Sequence, residues 1–232
     1  MFTLNKIGQN RMKILAVGAH PDDIEIFMYG LLSVCKNRGD KISLMVATDG
    51  AAGDVKSSNG LTSVRELETK KALKNLGHIT MLGLPDGKLL ESMNALDNIR
   101  KAIYTENPDI IVTHAPEDYH SDHRALSNYV EDAAGFRFPI IFADTLMGIN
   151  FNPDFYIDIT NFFHCKKKAI MCHKSQSPEK FVSAMKLMNR YRAAQCNAPK
   201  LNYAEAYRFN KKFPFVDLRS LLPNPPLLKP FY

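Results

Sequence analysis

The chain has 232 residues, 45% hydrophobic and 23% charged, which is enough for one large core and excludes wholesale disorder. A net charge of +6 without any run of five like charges argues against a nucleic-acid partner, and the "KKK" at 166–168 reads as a solvated helix face. An acidic or phosphorylated small molecule would suit that charge.

"MKILAVGA" (12–19) is a buried strand ended by glycine. The cluster "HPDD" follows it, and then "IEIFMYGLLSVCKNRG" reads as one helix closed by Gly39. "KISLMVAT" (41–48) is a second strand. The polar loop 49–60 either closes over a ligand or merely connects, and the helix at 62–77 opens with a capping signature. "HITMLGLP" (78–85) is a third strand, "ALDNIRKAIYTENP" a helix, and "DIIVTHA" (109–115) a fourth strand. A helix at 121–136, a strand at 138–147, an edge strand at 154–159 and helices near 160–174 and 178–196 complete the core of about 12–210. The proline-rich apolar tail 211–232 is expected to lie extended over a surface or a neighbouring subunit.

Strands alternating with helices predict a single-domain, Rossmann-like α/β fold, with a mostly parallel sheet covered by helices on both faces. Ligands in such sheets gather at the carboxyl ends of the strands. The polar clusters obey that rule: "HPDD", "TDG", "LPDG" and "THAPEDYHSDH" follow strands one to four. No GxGxxG follows the first strand, which removes the main support for a dinucleotide. The four cysteines form no CxxC pair and fit a reducing compartment, and the N-terminus lacks a secretory apolar core, so a cytoplasmic location without a membrane span is the expectation.

His20 and Asp23 share one face across a helix start, and either a helix cap or a metal site accounts for them. His120 and His123 repeat the three-residue spacing at another strand-to-helix junction. Two histidines and a carboxylate from separate loops form a three-ligand zinc set with a fourth corner for water, and iron(II) accepts the same set. Spacing alone does not tell which of Asp22 and Asp23 ligates. His78, His114 and His164 read as strand-edge or surface residues.

"AHPDDIE" followed by "HSDH" resembles the PIG-L/LmbE-like family of zinc-dependent N-acetylglucosaminyl deacetylases. The likeness continues in order through "TDG" (48–50), "VRELE" (64–68), "LGLPDG" (82–87), "HKSQ" (173–176) and "YAEAY" (203–207). It implies that His20, Asp23 and His123 ligate zinc, that Asp22 is the general base, and that His120, held by Asp122, stabilises the oxyanion. It implies further that Arg65 contacts the sugar or its phosphate-bearing aglycone, the alternative being a surface helix arginine paired with Glu68 or Glu66. Tyr203 is similar to a family tyrosine that swings over the reacting carbonyl, or it simply packs. His173 lines or braces the pocket. The implied enzyme removes acetyl from an N-acetylglucosamine-type sugar or conjugate and assembles as a homo-oligomer, a trimer or hexamer. A metal-bearing sugar-binding protein without turnover, and a zinc amidase for non-sugar amides, are the alternatives. "EIFMYG" and "QCNAPKLN" depart from the family's glycine-rich pattern, which leaves the metal set untouched and the substrate open.

Overall fold

The computed structural model describes residues 11–53 and 60–212, together with residues 222, 223 and 226. The middle of loop 49–60 and nearly all of the proline-rich tail lie outside the described residues, and with them the expectations placed there. In chain order the elements are β1 (Lys13–Gly18), α1 (Asp23–Phe27), α2 (Tyr29–Arg38), β2 (Lys41–Thr48), α3 (Leu61–Leu73), β3 (His78–Leu84), α4 (Ala95–Glu106) and β4 (Ile110–His114). There follow α5 (Ser121–Ala134), β5 (Ile140–Ala143), β6 (Phe155–Asp158), α6 (Phe163–Ile170), α7 (Pro178–Gln195) and β7 (Ala204–Phe209).

The seven strands form one sheet in the order β3-β2-β1-β4-β5-β7-β6. β1 to β5 run parallel, and β7 lies antiparallel between β5 and β6. Alternate residues of each strand feed opposite cores, as a two-residue period requires. Ile14 and Ala16 of β1 pack with α1, α2, α3, α6 and α7, whereas Leu15 and Val17 pack with α4 and α5. The sheet is therefore covered on both faces, as expected. No helix among the described residues is long and apolar enough to cross a membrane.

Three local expectations change. The helix read as continuous over 24–39 breaks at Met28 (φ −129°, ψ −11°) into α1 and α2, and its C-terminal Gly39 adopts the expected left-handed cap (φ 102°). Helix α3 starts at Leu61 behind a left-handed Gly60 (φ 85°) rather than on a Thr or Ser cap. Lys166 of "KKK" is fully buried instead of solvated, because its ammonium lies 2.7 Å from Glu205 Oε1.

Glu205 explains both Lys166 and the break at Met28. Its carboxylate accepts the N–H groups of Gly30 (2.9 Å) and Leu31 (2.7 Å), closing the N-terminus of α2 from the far end of the sequence. Gly30 is required there, since a Cβ would sit 2.4 Å from Ile159 Cγ2 and 2.8 Å from the Glu205 carboxylate. The bulky Met28 and Tyr29 are both buried next to this contact.

The chain winds from β1 outward to β3, then returns past β1 to β4. The loops after β1 and β4 therefore flank the point where strand order reverses, the position at which α/β sheets open a crevice.

Candidate active site

A crevice of about 260 Å³ opens at this switch point. Its walls include His20, Asp22 and Asp23 from the β1 loop, Asp86 and Gly87 from the β3 loop, Arg65 from α3, and Tyr119, His120 and His123 from the β4 loop and α5. The apolar flank comes from Ile26, Phe27, Leu146 and Phe181.

Three donor atoms converge at its floor. His20 Nδ1 lies 3.2 Å from Asp23 Oδ2, His123 Nε2 lies 3.2 Å from the same oxygen, and the two ring nitrogens are 3.3 Å apart. A tetrahedral zinc centre with ligands at about 2.0–2.1 Å has neighbouring donors about 3.3–3.4 Å apart, so this triangle matches one face of such a centre. His114 ends β4 and is fully buried, not a surface residue. Its ring stacks on His123 (3.8 Å between centroids), and its Nε2 lies 3.1 Å from Asp23 Oδ2. That nitrogen already accepts the Ala19 N–H at 3.1 Å, which makes it a poorer donor to an ion than His20 or His123. The chemistry of the triangle, two imidazoles and one carboxylate ringed by further carboxylates, fits a divalent cation.

The electrostatics are those of a cation trap. Burial works against charge on His20 and His123, but Asp23 and the neighbouring carboxylates hold both pKa values above the ordinary range, His123 at about 9. Asp23 is buried, yet His123, His114 and His20 hold its carboxyl well below the usual value.

Asp22 departs from its neighbour. It occupies an unusual backbone conformation for a non-glycine residue (φ 130°, ψ −20°), which turns its side chain toward α3. There Arg65 Nη2 donates to Asp22 Oδ1 (3.3 Å) and to Pro21 O (2.6 Å), while Nη1 donates to Gly50 O (3.0 Å). Burial pushes the Asp22 carboxyl up to about 6 against the pull of Arg65. Arg65 is 3% exposed and makes no pair with Glu66, which bonds Lys70, or with Glu68, which bonds Ser175.

His120 caps α5: its Nδ1 accepts the Asp122 N–H at 3.2 Å, so the neutral ring carries its proton on Nε2. Burial, His20 and His123 all lower its pKa. The Asp122 carboxylate does not hold this ring. It accepts Gly87 N–H (2.7 Å) and Leu89 N–H (3.2 Å) and faces His20 Nε2 at 3.3 Å.

Two residues that the resemblance implies lie elsewhere. Tyr203 is absent from the crevice wall and stacks flat on Phe163 (3.8 Å, 2°). His173 is buried behind Asp22 with Nε2 2.7 Å from Glu25 Oε1, so it braces and does not line. Sequence reasoning passed over Asp86, Asp118 and His114. Asp86 Oδ1 lies 3.2 Å from His20 Nε2, and Asp118 Oδ2 lies 3.1 Å from His123 Nδ1. Each stands at the carboxyl end of a parallel strand inside a motif already singled out, and that position was the available signal.

Residues 15–134, a little over half the chain, match the family model described as PIG-L, GlcNAc-PI de-N-acetylase. A diacetylchitobiose deacetylase of Thermococcus kodakarensis is 26% identical over 200 residues, 77% of this chain and 75% of that protein. Among solved structures, an N,N'-diacetylchitobiose deacetylase from Pyrococcus horikoshii bound to its inhibitor MPG superposes with a TM-score of 0.75 at 24% identity. The match covers 94% of this chain and 92% of that one. The 4-carboxy-2-hydroxymuconate hydratase of Pseudomonas putida shares the fold as well (TM-score 0.76, 20% identity, 89% of this chain and 98% of that one). Fold alone therefore does not fix the reaction, whereas the family match over residues 15–134 does so at the level of class: this chain belongs to the PIG-L family and is a hydrolytic N-deacetylase.

Proposed function

We propose that this protein removes the acetyl group from the 2-acetamido position of an N-acetylglucosamine-type sugar or conjugate, with His20 Nδ1, Asp23 and His123 Nε2 holding zinc or iron(II). The observation that carries the reading is the triangle of three donor atoms at 3.2–3.3 Å, with Asp22, Arg65 and His120 on the walls of the same crevice. A bound cation supplies Lewis acidity, polarising the amide carbonyl and bringing the pKa of water to about 7.

The protein's own groups do the rest. Asp22, ionised above about pH 6, takes the proton of the attacking water as the new C–O bond forms. His120 presents Nε2–H to the oxygen that gathers negative charge, a donor worth about 2.7–4 kcal/mol in comparable sites. The C–N bond then breaks, and the proton taken up by Asp22 passes to the departing amine, giving acetate and a free amino sugar. Arg65 keeps Asp22 aimed while its own position on the wall leaves it facing the sugar.

Acetate release tests this. Zinc-loaded protein is expected to deacetylate N-acetylglucosamine conjugates in preference to non-sugar acetamides at equal concentration. Asp22→Asn should keep its zinc and lose about 10²–10⁴-fold in kcat. Equal turnover of sugar and non-sugar amides, or an Asp22→Asn rate within tenfold of wild type, would overturn the assignment.

A further inference from the structure

We infer that Asp122 and Asp86 are positioning residues for His20, together holding its Nε2–H so that Nδ1 is the nitrogen left to meet the cation. The inference deepens the metal-site reading above and rests on it. It departs from the role implied for Asp122 by resemblance, that of holding His120.

Asp122 touches His120 only through its main chain, whose N–H caps Nδ1. Its side chain crosses instead to the β1 loop, and Oδ2 lies 3.3 Å from His20 Nε2. Asp86 approaches the same nitrogen from the β3 loop, with Oδ1 at 3.2 Å. Asp122 is buried, Asp86 is half-buried with its side chain turned inward (7% exposed), and both are fixed by backbone donors: Asp122 by Gly87 and Leu89, Asp86 through Oδ2 by Ala52 N–H at 3.0 Å. They are thus set in place before any ligand arrives.

A ring nitrogen facing two carboxylate oxygens carries a proton, since a lone pair there would meet only other lone pairs. In the neutral ring the remaining lone pair then belongs to Nδ1, the atom that forms the triangle with Asp23 and His123. Without the two acceptors, the other tautomer competes, and its proton must leave Nδ1 before the ring can ligate. Partners of this kind are typically worth 10–100-fold in metal affinity.

The test measures the zinc dissociation constant of the full chain by competition with a chromogenic chelator. Wild type, Asp122→Asn, Asp86→Asn and His20→Ala are compared, with melting of each metal-free variant to show that it folds. Asp122→Asn and Asp86→Asn are each expected to bind zinc about 10–100-fold more weakly. An unchanged dissociation constant for Asp122→Asn, with a displaced limb in the pH–rate profile at saturating zinc, would assign Asp122 to His120 and overturn the inference. Should Asp122→Asn fail to fold, because Gly87 and Leu89 lose their acceptor, Asp86→Asn decides: unchanged affinity there also overturns it. If His20→Ala binds zinc as tightly as wild type, it is the metal-site reading that fails.

Discussion

Glu205→Gln removes one charge from a fully buried network, and its cost can be worked from the contacts. Oε1 accepts Gly30 N–H at 2.9 Å and the Lys166 ammonium at 2.7 Å, and Oε2 accepts Leu31 N–H and the Tyr207 hydroxyl, both at 2.7 Å. Four donors thus converge on two oxygens. A glutamine keeps one oxygen and turns an NH₂ toward two of those donors, while Lys166, 1% exposed, loses its counter-ion. Breaking a buried pair from one side costs about 3–5 kcal/mol, a large share of the roughly 5–15 kcal/mol that holds a domain folded. At about 2–4 °C per kcal/mol for a chain of this size, the melting temperature should fall by about 6–20 °C. Urea unfolding followed by circular dichroism measures the loss. Adding Lys166→Met to Glu205→Gln should recover part of it, because no unpaired ammonium then remains. A loss below about 1 kcal/mol for Glu205→Gln, or no recovery in the double variant, would refute the account of Glu205 as the buried cap of α2.

Three further outcomes follow from the site. His123→Ala should leave the protein folded and abolish stoichiometric zinc binding, measured by metal analysis after dialysis; full metal content would remove it from the ligand set. Arg65→Met should lower kcat by about 10²-fold with a smaller change in KM, since loss of the Pro21, Gly50 and Asp22 contacts misplaces the base. A pure rise in KM would make Arg65 a substrate contact alone. Tyr203→Phe should change kcat less than twofold and stability by less than about 0.5 kcal/mol, because the ring stack on Phe163 survives; a tenfold fall in acetate release would return the hydroxyl to the reaction.

Much of this architecture could be read from the chain because its signals are local. "KISLMVAT" and "DIIVTHA" are continuous apolar runs bounded by turn residues, and both became inner parallel strands, β2 and β4. The crevice was legible for a similar reason: polar clusters after strands one and four must meet if both strands are central and parallel. What escaped depends on partners far away in sequence. β7 carries a buried glutamate, Glu205, as its second residue, and the acidic side chain hides the strand until Gly30, some 175 positions away, is known to be its partner. His114 looks like any residue ending a strand, and only the packed fold lays it against His123. Lys166 reads as solvated because nothing nearby in sequence offers a counter-ion. The "YAEAY" motif drew attention to its first tyrosine, while the structural weight falls on the glutamate two residues later.

The two adjacent aspartates show why spacing could not assign their roles. Neighbouring residues at a helix start differ by about 100° in direction, too little to send one carboxylate among histidines and the other to an arginine on a different helix. The backbone supplies the difference at Asp22, whose positive φ is disfavoured for a residue with a Cβ and typically costs about 1–3 kcal/mol. Around it, Pro21 limits the preceding torsion, Ile26 N–H bonds to Asp22 O at 3.0 Å, and Arg65 grips both Pro21 O and the Asp22 side chain. Those contacts offset the strain and lock the turn. Asp23 is thereby left at the first position of α1, where the His20 N–H reaches its Oδ2 at 2.7 Å and His114 of β4 and His123 of α5 converge on the same oxygen. One strained residue thus separates a carboxylate set among three histidines from one set against an arginine, which is the division of labour the proposed reaction requires, and a relaxed turn would point both the same way.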